Sequence, residues 1–273
     1  MYILNGSVYK TEENTVSPLS ESFMFGYGLF ETLKVLNGKI LFLEEHIDRL
    51  ISGCKTLKLT LKDSKKNIEL DCYKLLELNQ VKNGVLKILY SKNRDKEYLL
   101  LTTRHNPYTE ENYKNGFKMM FSDIKRNQHS ILAFIKSNNY MENLLAKQVG
   151  AENGYDEVIF LNTDGFIAEG AASNIFWIKS GNVFTPSTEC GLLPGIVRDK
   201  VILISQKLDL KINIGKFSKG DILDADEVFI TNSVMEIMPI SNIGKKVYNI
   251  RENNITKNII KSYIKLIGEI NEK

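Results

Sequence analysis

Apolar and polar residues alternate weakly over residues 2 to 9 and break at Asn5-Gly6, a pair suited to a two-residue hairpin turn. The runs Leu29 to Leu36 and Lys39 to Phe42, joined by Asn37-Gly38, predict a second hairpin. From Leu43 the period lengthens, and Ile47, Leu50, Ile51, Cys54 and Leu57 share one helical face. A second helix is predicted over about residues 64 to 79, with Ile68, Cys72, Leu75 and Leu76 apolar at helical spacing. Strands are predicted at Gly84 to Tyr90 and Glu97 to Thr103.

Asn106 to Asn115, with Pro107 and several charges, is the first place where a domain could end. One more strand follows, then a soft stretch from Ile124 to Ser130, then the apolar run Ile131 to Ile135, read as a strand with Lys136 at its end. A helix at Tyr140 to Glu152, a strand at Glu157 to Leu161, the turn Asn162-Thr163-Asp164-Gly165 and a strand at Ser173 to Ile178 are predicted next. A helix begins near Pro194 and runs to about Leu208, since proline is tolerated in a first turn. Strands near Leu210 to Ile214 and Glu227 to Thr231 complete an α+β pattern. In the basic C-terminal segment Arg251 to Lys273, Ile255, Ile259, Ile260, Tyr263, Ile264 and Ile267 recur at helical spacing and predict a surface helix with one buried face.

Composition narrows the function classes. A chain of 273 residues, 43% hydrophobic and 25% charged, can bury a sizeable core and is no disordered segment. Lys+Arg 36 against Asp+Glu 33 leaves +3, too near balance for a broad nucleic-acid footprint. No apolar stretch approaches the roughly 20 residues needed to span a bilayer, and the N-terminus has no secretory signal pattern. Cys54, Cys72 and Cys190 are odd in number and far apart, so no structural metal is expected and a cytoplasmic location is.

Three places carry candidate chemistry. Lys136 stands before the polar group Ser137-Asn138-Asn139, where a partly desolvated amine is a good nucleophile for a carbonyl cofactor. Glu169-Gly170-Ala171-Ala172-Ser173-Asn174-Ile175-Phe176 sets an acid and small residues ahead of a strand, permitting close backbone approach to a ligand. Leu193-Pro194-Gly195-Ile196-Val197-Arg198 puts a glycine at a helix start, a natural phosphate site. Each has an ordinary structural reading: a solvated lysine, a tight turn, one helix start among many. Gly26-Tyr27-Gly28 is no dinucleotide loop, because no strand-to-helix βαβ unit surrounds it.

In conjunction, Glu169, Asn174-Ile175-Phe176, Val183-Phe184-Thr185 and Leu193 to Arg198 resemble the spaced signature of the class IV aminotransferases. Four further blocks resemble that family in order: Phe25 to Thr32, Glu45-His46-Ile47-Asp48-Arg49-Leu50, Lys136 to Tyr140, and Thr231 to Ile240. The resemblance implies a two-domain α+β enzyme of fold type IV (D-amino-acid aminotransferase-like), with pyridoxal 5'-phosphate in the cleft between domains, usually a homodimer. On that basis residues 1–113 are expected to form a small N-terminal α+β domain, 114–128 a strand and connector, and 129–273 a larger cofactor-binding domain.

Carried over by resemblance, Lys136 is the lysine that binds the cofactor aldehyde and moves the proton at the substrate's α-carbon. Glu169 faces the pyridine nitrogen, and Arg49 contacts the phosphate. Ile196 and Val197 offer backbone N–H groups and Ser233 a hydroxyl, while Ser173 and Asn174 also lie at the cofactor. Tyr140 stands near a tyrosine that bonds the phenolic oxygen in some relatives. His46, one helical turn from Arg49, has a structural role. Tyr27, Thr32 and Arg104 are candidates for the amino substrate.

Three activities share this scaffold. Arg104-His105 is an adjacent pair, not the Arg-x-His of D-amino-acid aminotransferases, and Phe30-Glu31-Thr32-Leu33-Lys34 departs from the Phe-Glu-Gly-x-Arg of branched-chain enzymes. The compact length, Gly28 to Thr32 and Asn106 to Glu110 look most like 4-amino-4-deoxychorismate lyases, which release pyruvate and 4-aminobenzoate, a folate precursor. Amino-group transfer from branched-chain or D-amino acids to 2-oxoglutarate is the alternative, and a cofactor-binding protein without catalysis a remote one.

Overall fold

The computed structural model describes residues 1–10, 17, 19–93 and 96–272. Two compact units divide the chain: Met1–Pro107 with Ile135–Asn139, and Tyr108–Phe134 with Tyr140–Lys273.

The first unit contains β1 (Tyr2–Leu4), β2 (Ser7–Tyr9), α1 (Glu21–Phe25), β3 (Gly28–Leu36), β4 (Lys39–Ile40), α2 (Leu43–Thr56), α3 (Lys65–Leu78), β5 (Gly84–Asn93) and β6 (Lys96–Arg104). Its strands form one antiparallel sheet in the order β2-β1-β6-β5-β3-β4. Both predicted hairpin turns are present, with Asn5-Gly6 at φ 48° and 76° and Asn37-Gly38 at φ 52° and 79°. The Ser64 hydroxyl caps α3 by accepting the Asn67 N–H at 3.1 Å.

Along β3 the residues alternate: Leu29, Glu31, Leu33 and Val35 are buried, while Phe30, Thr32 and Lys34 are partly exposed. The buried row meets Leu50 and Cys54 of α2, and Ile68, Cys72 and Leu75 of α3, in one apolar core. Gly53 lets α2 lie close to the sheet, since a Cβ there would come within 2.9 Å of Leu29 Cδ1. Truncating a fully buried member such as Leu33 to alanine costs about 2–5 kcal/mol.

The second unit contains α4 (Glu110–Asn115), β7 (Phe117–Phe121), α5 (Met141–Glu152), β8 (Glu157–Leu161), β9 (Ile167–Gly170), β10 (Asn174–Lys179), β11 (Asn182–Pro186), α6 (Ile196–Lys207), β12 (Ile212–Gly215), α7 (Lys219–Leu223), β13 (Glu227–Asn232), β14 (Glu236–Ile243), β15 (Lys246–Val247) and α8 (Asn254–Glu272). Its nine-stranded sheet runs β12-β11-β10-β13-β14-β7-β8-β9, with β15 beside β14. Pairing is parallel at β11/β12, β14/β7 and β7/β8, and antiparallel elsewhere. Met119, Trp177, Val228, Ile230, Met238 and Ile240 lie in its core, where Phe217 meets the Trp177 ring edge-on at 5.0 Å.

Several elements differ from the sequence reading. The run Ile131 to Ile135 is no strand: Ile131–Phe134 form a 3-10 helix begun by Ser130, whose carbonyl and hydroxyl take the Ala133 and Leu132 N–H groups. The soft stretch at 106–115 contains α4, nucleated by a capping box between Thr109 and Asn112. The strands β9, β11 and β14 and the short α7 were not anticipated as elements. Among the described residues no helix is long and apolar enough to cross a membrane.

Candidate active site

Lys136 belongs to the first unit, where residues 136–138 extend along the edge of β3 that β4 leaves uncovered. The Phe30 N–H donates to the Lys136 carbonyl and the Asn138 N–H to the Gly28 carbonyl, both at 2.9 Å. Gly28 is required there, because a Cβ would come within 2.5 Å of Asn138 Nδ2 and 2.6 Å of the Tyr90 carbonyl. The lysine is therefore held by main-chain pairing while its ammonium stands 4.5 Å from the Phe30 ring centre. Lys87 Nζ lies 4.9 Å from the same ring.

On the opposite face of β3, Glu31 anchors a buried ionic cluster. Arg49 donates from Nε and Nη2 to the two carboxylate oxygens at 2.8 and 2.7 Å, and His46 Nδ1 lies 2.6 Å from Oε2. Burial alone would raise the Glu31 pKa, but the Arg49 charge and hydrogen bonds, with those of His46, bring it down to about 2. Burial lowers the pKa of His46 despite the facing Glu31 carboxylate, and the Arg49 and Lys136 charges push the same way as burial. Thr32 is half-buried on the face opposite Glu31. The Tyr27 hydroxyl donates to the Leu57 carbonyl, and Arg104 is exposed at the end of β6, donating to the His105 carbonyl at 3.4 Å.

In the second unit Glu169 sits in β9, 8% exposed. Its Oε2 accepts the Leu193 N–H at 3.0 Å, and its Oε1 lies 3.3 Å from Arg126 Nη2. Arg126, which the sequence reading passed over inside a soft stretch, lies over the Phe160 ring at 4.3 Å. The Tyr140 hydroxyl donates to the Ala171 carbonyl at 2.7 Å; burial, then the nearby Glu169 and Glu157 charges, raise its pKa. Glu157, also unanticipated, accepts the Val158 and Ala171 N–H groups and so fixes the same loop from behind. Burial pushes its pKa up, against Lys147 and those N–H groups.

Asn174 Nδ2 donates to the Leu193 carbonyl at 2.9 Å, which ties the start of β10 to the segment entering α6. A Cβ at Gly195 would come within 1.9 Å of Asn174 Oδ1. Gly195 is the N-cap of α6 and offers no side-chain cap, so Ile196 and Val197 stand at an N-terminus whose dipole favours an anion. The Ser173 hydroxyl is buried without a hydrogen-bond partner. Ser233 lies in the β13–β14 turn, which Asn232 braces by accepting the Val234 and Met235 N–H groups. Of the anticipated residues, then, Tyr27, Thr32, Arg49, Arg104 and Lys136 fall in the first unit, and Tyr140, Glu169, Ser173, Asn174, Ile196, Val197 and Ser233 in the second.

Comparison with known proteins gives this arrangement a family. The sequence profile described as Amino-transferase class IV matches residues 28–243. An aminodeoxychorismate lyase of Bacillus subtilis is 31% identical over 287 residues, spanning 100% of this chain and 97% of that protein. A D-alanine aminotransferase of Bacillus licheniformis is 28% identical over 268 residues, spanning 94% and 93%. The crystal structure of the branched-chain amino acid aminotransferase of Escherichia coli superposes with a TM-score of 0.91 at 23% identity, covering 97% of this chain and 93% of that one. The chain belongs to the class IV aminotransferase family of enzymes.

Proposed function

We propose that the protein is a 4-amino-4-deoxychorismate lyase that uses pyridoxal phosphate, the cofactor of the family to which it belongs. The observation that carries the lyase reading is the full-length likeness to an aminodeoxychorismate lyase. The Gly28 to Thr32 block supports it. The likeness to a D-alanine aminotransferase keeps amino-group transfer as the second reading.

The residues suit such a cofactor. The buried, unpartnered Ser173 hydroxyl and the uncapped N-terminus of α6 fit a phosphate approached by main chain, while Gly195 leaves the room that the Asn174 side chain fills. In this reading Ile196, Val197, Ser233 and Arg49 hold the phosphate, with Asn174 fixing the approach to α6. Glu169 keeps a proton on the ring nitrogen, and Tyr140 orients the phenolic oxygen. When bound, pyridoxal phosphate supplies an electrophilic carbon for the substrate amine and a protonated ring that accepts an electron pair. Lys136 would be the residue that holds that carbon, and its free amine would take the proton from the substrate carbon bearing the amine. The C–O bond to the enolpyruvyl group would then break with its electron pair leaving on oxygen, the departing enolate would take a proton to become pyruvate, and the ring would be left aromatic as 4-aminobenzoate. Thr32, Arg104 and the ring of Tyr27 are substrate-side contacts.

The protein is further proposed to act as a cytoplasmic homodimer. Exposed Met141, Leu144, Leu145 and Val149 make an apolar stripe on α5 that a second copy could cover, and the three cysteines are buried free thiols. Purified protein with pyridoxal phosphate and 4-amino-4-deoxychorismate should release 4-aminobenzoate and pyruvate in equal amounts, and Lys136→Ala should abolish this. If branched-chain or D-amino acids with 2-oxoglutarate turn over instead and no 4-aminobenzoate forms, the transaminase reading replaces the lyase.

A further inference from the structure

Glu31 occupies a row of β3 that otherwise holds Leu29, Leu33 and Val35. A carboxylate so placed is costly unless every lone pair facing the protein is met. Three hydrogen bonds meet it, two from Arg49 and one from His46. Arg49 and His46 lie three residues apart on α2, so both side chains leave the same helix face.

The arrangement fixes more than charge balance. Arg49 meets the carboxylate side-on through Nε and Nη2, which sets the plane of the guanidinium and leaves Nη1 as the nitrogen not turned toward Glu31. Of the three side chains only Arg49 reaches accessible surface, at 16% against 1% for Glu31 and 0% for His46. Because Glu31 is ionised, the proton in the 2.6 Å contact belongs to His46 Nδ1. That makes Nε2 of the neutral ring an acceptor, and it is buried with no hydrogen-bond partner. Among the described residues, the charged groups that act on the imidazole are Glu31 from β3, Arg49 from its own helix and Lys136 from the segment beside β3. Of these three groups Glu31 alone attracts the ring, so the ring serves Glu31 as a neutral donor.

We infer that Glu31 and His46 are positioning residues for phosphate recognition: Glu31 locks Arg49 side-on so that its outward edge meets a phosphate monoester, and His46 locks Glu31. This rests on the reading of Arg49 as a phosphate contact. A merely structural cluster would support pyridoxal and pyridoxal phosphate alike, whereas a phosphate-positioning cluster governs the preference between them.

The test is equilibrium binding of pyridoxal phosphate and of pyridoxal to apoenzyme, for the wild type and for Arg49→Gln, Glu31→Gln, His46→Asn and His46→Leu. Arg49→Gln should remove most of the preference for the phosphorylated form. Glu31→Gln should lower that preference by about tenfold, the size of one lost charge-assisted hydrogen bond. His46→Asn, whose amide N–H can stand where Nδ1–H does, should keep the preference, and His46→Leu should reduce it. If Arg49→Gln lowers the preference while Glu31→Gln leaves it unchanged or weakens both ligands equally, the inference is wrong and the Arg49 reading stands. If Arg49→Gln leaves the preference intact, the Arg49 reading falls and takes the inference with it.

A measurement on the unmutated protein covers variants that do not fold. The chain has three histidines, so the imidazole nitrogen resonances are assignable. Those of His46 should report Nδ1 protonated in a neutral ring, with a titration displaced below the ordinary imidazole range because the ring is buried. The Nε2–H tautomer, which has no donor to offer Glu31, would overturn the inference.

Discussion

Each unit buries a glutamate in a strand, and the two behave oppositely. Glu31 in the first unit and Glu157 in the second are 1% and 3% exposed. Yet the Glu31 pKa falls to about 2 and that of Glu157 rises. Burial raises both; the partners decide. Glu31 meets a guanidinium side-on and an imidazole within 3 Å, whereas Glu157 has backbone N–H groups and the Lys147 ammonium at 4.0 Å. The first unit therefore maintains a full charge inside a core, beside an arginine that reaches the surface. In the second, the proposed phosphate cradle is main chain: a helix N-terminus and a glycine. A carboxylate that fixes a cation needs to stay ionised, while one that holds N–H groups of a loop works with less charge.

Breaking the first cluster should have the largest effect. Glu31→Ala takes from Arg49 its buried carboxylate and should cost roughly 3 kcal/mol in denaturant unfolding, the low end for one lost partner because Arg49 is partly exposed. Acid should mimic it. The Glu31 pKa is depressed from 4.5 to about 2, so its stabilisation is present above pH 4.5 and lost as pH falls toward 2. Up to about 3 kcal/mol should disappear in that window, and Glu31→Gln should abolish that part of the dependence.

Gly195→Ala probes the main-chain cradle of the second unit. Its Cβ would collide with Asn174, so stability should fall by about 1–3 kcal/mol in thermal unfolding and pyridoxal phosphate affinity should fall with it. The smallest effect should come from Glu157→Gln, within about 1 kcal/mol near pH 4.5 because the amide keeps one acceptor. The raised pKa of Glu157 means that its contribution is complete below 4.5 and is lost as pH rises. Unfolding followed from pH 4.5 upward should therefore favour the glutamine variant increasingly. Equal costs for Glu31→Ala and Glu157→Gln would erase the contrast between the units.

What was legible in the sequence was what local chemistry dictates. Asn5-Gly6 and Asn37-Gly38 announced their hairpins because both residues of each pair adopt positive φ. The helices α2 and α3 were visible because Ile47, Leu50, Ile51, Cys54 and Leu57, and Ile68, Cys72, Leu75 and Leu76, recur at helical spacing. Elements fixed by the surrounding sheet were not. β9 is four residues long and buried throughout, so it has no alternation to read. β14 opens on Glu236 at φ 62° and contains Pro239, both of which argue locally against a strand. Lys136 and Glu169 stood out only through spaced family motifs. Arg126 had no such signal, since its contacts with Glu169, Phe160 and Asn143 come from distant parts of the chain.

The most direct test is borohydride reduction of the pyridoxal phosphate-loaded enzyme, followed by peptide mapping. A pyridoxyl group on Lys136, absent after Lys136→Ala, is the expected result. Stable labelling of another lysine, or none in protein that binds the cofactor, would contradict the assignment of Lys136 and the chemistry built on it.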